Sequence, residues 1–404
     1  MVISDANLKE KILSDKYNAV IFEKGKRTDV YLVGGYIRDM LRGRHGQDRD
    51  YIVFGDVLSL AKQIKNLTGG KIVKFEKGDT MRIATKKGPI FDLSGASGAL
   101  NEDLLKRDFT INAIAWSPKE GVIDPFNGIE DLQNRCVRVV RGKNITDDPL
   151  RMLRAYRFAA ELNGVVEKDT RNLIKTFNNN IKETAPERIT LELFQLLNLM
   201  RSSKYLEMAL YDGLLKTIFI IGYKQLEENI KEISLFENII FKMNNNTIKV
   251  KLKELISQNL TYKGLLCLIL LMKNIFNKGE DSYRLKLSRK IERRIRLVQT
   301  CIDENIVEGR VFDIYMKTKD ASVDLLILKN RLDCLNDYKR FLVVWKDGII
   351  KSEEVIQYAG NISGKAIGNI IKEIKKAEYE GRVGSKSSVV KLIRKLSGNI
   401  IHDR

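Results

Sequence analysis

Residues 30–56 read VYLVGGYIRDMLRGRHGQDRDYIVFGD, and the organisation of the rest of the chain follows from this stretch. The apolar run Val30-Tyr31-Leu32-Val33 predicts a buried strand that ends at Gly34-Gly35. Residues 36–41 predict a short helix carrying Arg38 and Asp39. The chain then returns through a polar turn to Asp48-Arg49-Asp50 and a second apolar run over 51–54. Residues two apart in a strand point to the same side, so Asp48 and Asp50 are expected to present two carboxylates together. Two such groups repel, and a divalent cation relieves that repulsion most simply. The Gly-Gly turn lets backbone N–H groups approach a phosphate with no Cβ in the way. Metal plus phosphate points to nucleotidyl or phosphoryl transfer.

Outward from this stretch, residues ~5–15 predict an amphipathic helix and residues 19–22 a strand. A helix over 58–67 ends at Gly69-Gly70, and 71–75, 81–84 and 90–93 predict three further strands separated by glycine-containing turns. This mixture ends near Val140. All five prolines lie at or before Pro186, and beyond it Leu, Ile, Lys and Glu recur at helical spacing. The asymmetry predicts an α/β amino-terminal domain followed by an all-helical remainder. A chain of 404 residues is long enough for about two to four domains.

The formal net charge of +19 points to a polyanionic partner, because neutralising phosphates releases counterions. The competing explanation is an ordinary solvated surface in a lysine-rich proteome. Cys136, Cys267, Cys301 and Cys334 are widely spaced and form no CxxC pair, so reduced, mostly buried thiols are expected, with neither a disulfide frame nor a zinc site. Only His45 and His402 are present, which argues against histidine-rich metal clusters and a Ser-His-Asp triad. The first fifteen residues show no apolar signal segment, and the longest apolar run, 265–272, is too short to span a bilayer. A cytoplasmic protein is expected.

Three more constellations carry chemistry. In LLKRDFTINA, residues 104–113, Arg107 is a candidate phosphate clamp, and Asp108 is placed to cap the next turn or orient Arg107; alone, Arg-Asp is more often a surface pair. In DDPLRMLRAYRF, residues 147–158, Asp148 before Pro149 signals a helix start. Arg151, Arg154 and Arg157 then recur every three residues, either as a solvated face or as part of a base-reading site. In the second case a carboxylate accepts from the amino group of C or A, and a guanidinium donates to the neighbouring ring nitrogen or carbonyl. U and G present the wrong groups, at ~1–3 kcal/mol per lost contact. In TAPERITLEL, residues 184–193, Thr184 and Glu187 match a capping box, a signal that is mainly structural.

Taken in order, these motifs resemble class II tRNA nucleotidyltransferases, the CCA-adding enzymes and bacterial poly(A) polymerases of the polymerase β superfamily. LVGGYIRDMLRG with DRD matches the head motif, KRDFTINAIAW the second motif, DDPLRMLRAYRFAAEL the base-reading motif and ERITLEL the neck motif. The match runs from about residue 30 to 197, and residues 362–383 are weakly similar to the family's tail helices. The implied fold class is α+β: a polymerase β-like nucleotidyltransferase head of mixed sheet and helices over 1–142, then an all-helical neck (143–215), body (216–310) and tail (311–404).

By that resemblance Asp48 and Asp50 hold two Mg²⁺ ions and are catalytic. Gly34, Gly35, Arg38 and Arg107 contact the nucleotide, Asp148 and Arg151 read its base, and Arg154 and Arg157 contribute to the pocket and phosphates. Asp92 is a positional candidate for a third carboxylate. The implied substrates are CTP and ATP, and the implied partner is the acceptor arm and 3′ end of tRNA, for which Arg284, Lys286, Arg289, Lys290, Arg293, Arg294 and Arg296 form a candidate basic surface. Two departures stand out. Asp147-Asp148 replaces the common Glu-Asp, and DLSGASGALNEDL passes from Asp92 to the second motif with little room for a long flexible loop. A shortened loop accompanies CC-adding members, and a full CCA-adding variant is the other reading. An A-adding enzyme or poly(A) polymerase is the alternative within the family, and a non-catalytic RNA-binding protein the alternative outside it.

Overall fold

A computed structural model describes residues 5–25, 29–44, 46, 48–75, 79–86, 88–275, 282–304, 306, 311–360, 362 and 364–402. His45 and Gln47, in the polar turn, and Ser363, in the tail-like stretch, lie outside the described residues. The chain divides into two compact units, one of residues 1–238 and 244–286 and the other of 239–243 and 287–404.

The first unit opens with two helices, α1 (Asp5–Ser14) and α2 (Lys16–Lys24). The strand expected over 19–22 is the second half of α2. Asp15 caps that helix by accepting from Tyr17 and Asn18 N–H, and the buried Asn18, Ile21 and Phe22 recur at helical spacing. Phe22 packs edge-on against Trp116, so tertiary burial overrides the local β-branched preference.

Next come β1 (Asp29–Val33), α3 (Gly35–Leu41), β2 (Arg49–Phe54) and α4 (Val57–Thr68). Three further strands follow, β3 (Lys71–Lys74), β4 (Thr80–Ala84) and β5 (Ile90–Gly95). A four-residue link leads to α5 (Leu100–Leu104), and β6 (Ala115–Ser117) and β7 (Gly121–Ile123) complete a seven-stranded sheet of order β3-β4-β5-β2-β1-β6-β7. Only β2 and β5 run parallel among the paired strands of this sheet. Alternation divides β4 and β5 cleanly. Met81, Ile83, Phe91 and Leu93 are buried on the face that α4 covers, while Arg82, Asp92 and Ser94 point the other way. On that other face, Tyr31, Val33 and Ile52 pack with Ala115 of β6 and are covered by Leu104 and Ala113, while Asp50, opposite Val33, lies outside this cluster. The site forms at this edge.

Beyond the sheet, helices α6 (Gly128–Gln133) and α7 (Lys143–Asp147) lead to α8 (Leu150–Leu162), α9 (Lys168–Phe177) and α10 (Pro186–Asn198). The capping box expected at Thr184 is not made. The helix begins at Pro186 behind Ala185, and the buried Thr184 hydroxyl has no hydrogen-bond partner. The four cysteines are free, three of them buried. Among the described residues no helix is long and apolar enough to cross a membrane.

The second unit is helical, with a core that includes Ile350, Val355, Ile370, Ile374, Val389 and Ile393. The candidate basic run crosses the division between the two units. Arg284 and Lys286 belong to the first unit and Arg289 to Arg296 to the second. On the helix Arg289–Gln299, Arg293 pairs with Asp320 at 3.1 Å, and Arg294 pairs with the buried Asp324 at 2.5 Å. Those charges are matched within the protein.

Candidate active site

The link between β1 and α3 is made by Gly34, at φ +75°, which L side chains rarely adopt. A Cβ there would stand 3.0 Å from Arg107 Nη1 and 3.3 Å from Asp50 Oδ2, so a glycine is needed for space as well as for conformation. From this turn α3 carries Arg38 inward. Its guanidinium grips Asp39 at 3.0 and 3.1 Å and donates to Asn112 Oδ1 at 2.7 Å.

Asp50 lies within β2, and Asp48 precedes the strand, exposed. Between them Arg49 turns the opposite way into the interior, where Asp15 holds it at 2.6 Å and the Tyr36 ring lies 5.0 Å from its guanidinium. The parallel register sets Asp50 directly opposite Asp92 on β5. Burial pushes the Asp50 carboxyl above its ordinary range, Arg107 at 3.9 Å pulls it back, and Asp92 and Asp48 push it up again. Asp92 has its own cation: Arg82 Nε and Nη2 reach its two oxygens at 2.8 and 2.7 Å.

Asp108 does not orient Arg107. It is buried, accepts from Phe109 N–H and Asn112 Nδ2, and takes both Nε and Nη2 of Arg154 at 2.9 and 2.7 Å. Burial alone would raise its carboxyl, but Arg154 and these hydrogen bonds hold it below the usual carboxylate range. A continuous relay Arg38–Asn112–Asp108–Arg154 therefore ties α3 to α8. Asp148 is extended, and its Oδ1 accepts from Leu150 N–H at 3.4 Å, a loose cap on a helix that starts at Leu150, one residue past Pro149. Its Oδ2 accepts from Arg188 of α10 at 2.9 Å.

Together these elements enclose a cavity of about 590 Å³. Gly34, Gly35, Arg38, Asp48, Asp50, Arg107, Asp148, Arg151 and Arg154 all line it. Arg157 does not. It is buried behind Phe158, with ion pairs to Glu161 and Glu192 and its guanidinium carbon 4.0 Å from the Phe158 ring centroid. The three-residue spacing of the arginines rotates round α8, so the third falls onto the packed side. Sequence reasoning missed Arg82 and Arg188, which also line the cavity. Arg82 is an alternating strand position whose neighbour across the sheet is invisible without register, and Arg188 stands inside a motif whose signal is mainly structural.

Among the described residues no three His, Cys, Asp or Glu side chains converge as a ready-made metal cage. The donor set instead consists of hard carboxylate oxygens at the rim of a cavity lined by arginines. That suits a cation such as Mg²⁺, which binds through one or two carboxylates plus substrate phosphates. Burial, with smaller contributions from Asp92 and Asp48, disfavours the charge on Asp50, and a bound cation would relieve that cost.

A seven-stranded mixed sheet with a Gly-Gly turn beside paired carboxylates, followed by an arginine-bearing helix, defines a nucleotidyltransferase head with a helical extension. Family models agree: the poly A polymerase head domain matches residues 30–138, and the probable RNA and SrmB-binding site of polymerase A matches residues 165–228. Curated proteins similar to this chain include CC-adding and A-adding tRNA nucleotidyltransferases. A CC-adding tRNA nucleotidyltransferase of Synechocystis is 37% identical over 188 residues, 46% of this chain and 45% of that one. A CCA-adding enzyme of Ligilactobacillus salivarius is 28% identical over 383 residues, covering 88% and 89%. The chain spans about half the length of most of the curated relatives it matches. A solved Thermotoga maritima CCA-adding enzyme complexed with tRNA superposes with a TM-score of 0.73 at 23% identity, covering 98% of this chain and 99% of that one, a likeness of fold.

Proposed function

We propose that this chain adds C to the 3′ end of tRNA from CTP, without a nucleic-acid template, releasing pyrophosphate. The observation that carries the reading is the single cavity that joins Asp48 and Asp50, the Gly34-Gly35 turn and the Asp148/Arg151 pair. In this reading Arg38 and Arg107 bind the triphosphate, the turn accepts it closely, and Arg154, fixed by Asp108, holds positive charge beside it. Asp148 accepts from the amino group of the base, and Arg151 donates to the ring nitrogen or carbonyl. The terminal ribose hydroxyl forms the new bond to the α-phosphorus while the bond to the pyrophosphate oxygen breaks. Mg²⁺ held by Asp48 and Asp50 would lower the pKa of that hydroxyl and offset charge on the leaving group.

Two C residues without the terminal A is the narrower form of the proposal. It is supported by the link from β5 to α5, which is residues 96–99 alone. The test uses tRNA lacking CCA, ending in CC, or bearing complete CCA, each with CTP or ATP alone. Addition of two C residues and nothing from ATP is expected. Addition of two C residues from CTP together with addition of A to the CC-ended tRNA makes the activity full CCA addition, and incorporation from ATP with none from CTP, or long A tails on any RNA, assigns an A-adding enzyme or poly(A) polymerase instead.

A further inference from the structure

Transfer needs a second substrate whose terminal hydroxyl reaches the same carboxylates as the nucleotide. A second, more open groove of about 850 Å³ shares Asp50, Arg82, Asp92 and Arg107 with the first cavity. From them it extends outward over Lys74, Phe75, Thr80 and Ser94. The sheet register explains this surface. Val73, Arg82, Asp92 and Asp50 form one row across four strands. Phe75, Thr80 and Ser94 form the next row, joined by Phe75 N–H donating to Thr80 O at 3.1 Å. Both rows lie on the face opposite α4.

That face exposes apolar side chains where a folded protein normally covers them: Val73 is 48% and Phe75 39% exposed. The Arg82 guanidinium stands 5.5 Å from the centre of the Phe75 ring. An exposed aromatic on an open sheet, with the Arg82 guanidinium beside it, has the makings of a stacking platform for single-stranded nucleic acid. The ring takes a base face, and the Arg82 guanidinium beside it takes phosphate. A free nucleotide has its base and phosphate partners in the first cavity, so the polyanion suited to this groove is the other substrate.

We propose that Phe75 and Arg82 seat the unpaired 3′ end of the RNA substrate, with its terminal base on Phe75 and its hydroxyl end directed to Asp50. This rests on the nucleotidyl-transfer reading. The test uses the full chain and a tRNA lacking CCA that carries 2-aminopurine as its last nucleotide, without metal or CTP. Stacking quenches the probe, and Phe75→Ala is expected to abolish the quench, with Phe75→Trp restoring it. In turnover, Phe75→Ala should raise KM for tRNA on the order of tenfold and leave KM for CTP unchanged. A parent protein that does not quench the probe overturns the platform. So does a Phe75→Ala variant with unchanged quench and KM for tRNA, or one that changes KM for CTP instead. Quenching through Phe75 in a protein that transfers nothing keeps the platform and removes the proposed function. Thermal melting of each variant checks the fold, which an exposed residue just past the edge strand β3 supports little.

Discussion

Asp50 and Asp92 face each other across the parallel strands β2 and β5, and only Asp92 has a close cation, Arg82, on both of its oxygens. Asp50 reaches Arg107 only at 3.9 Å. Burial disfavours the ionised form of Asp50, and this distant pairing offsets it only in part. Its charge works against folding and in favour of cation binding.

Asp50→Asn should accordingly abolish transfer without loss of stability. A raised folded-state pKa means that ionised Asp50 destabilises the fold above that value. Below the unfolded carboxylate pKa of about 3.9 the residue is neutral in both states. Melting curves at neutral pH should place the variant at or above the parent, and the difference should vanish in acid. Millimolar Mg²⁺ should raise the melting temperature of the parent and leave Asp50→Asn unmoved. A variant that melts well below the parent at neutral pH would contradict this account of Asp50.

Arg154→Ala strips Oδ2 of the buried Asp108 of both its guanidinium donors, a change that costs about 3–5 kcal/mol at buried pairs. Chemical denaturation should show most of that loss, and Asp108→Asn with Arg154→Ala should recover part of it. The depressed Asp108 pKa gives the sign with pH. Its contribution is complete above the unfolded carboxylate pKa of about 3.9 and is lost as pH falls through the lower folded value.

Gly34→Ala forces a side chain into a positive-φ position and against Arg107 and Asp50. Such strain costs about 1–3 kcal/mol. Circular dichroism should show a folded protein of reduced stability, and kcat should fall more than tRNA affinity because the displaced groups belong to the transfer site.

Arg188 holds Asp148 across an exposed ion pair, which is worth about 0–1 kcal/mol to stability. Asp148→Ala should therefore leave the melting temperature near that of the parent, yet reduce kcat/KM for CTP about 10–100-fold with little change for UTP. Equal losses for the two nucleotides would mean that Asp148 does not read the base. Arg188→Ala should narrow the same discrimination by loosening the carboxylate.

The sequence by itself determined the strand–turn–helix around Gly34-Gly35, the paired Asp48 and Asp50, and the mixed sheet followed by helices. Each of these is written in local patterns: apolar runs, glycines and period-two alternation. It also marked Asp148 and Arg151, because an Asp-Pro helix start and regularly spaced arginines are visible without neighbours. Contacts between distant segments were decided only by tertiary structure. Residues 19–22 form a helix because Asp15 caps it and Phe22 meets Trp116. Arg157 leaves the site because the packed side of α8 claims it, and Asp108 serves Arg154, not its neighbour Arg107. Arg82 and Asp92 join Asp50 through strand register, which sequence alternation constrains only to a face. Side-chain chemistry is a property of the residue, whereas its partner depends on which segments the core brings together.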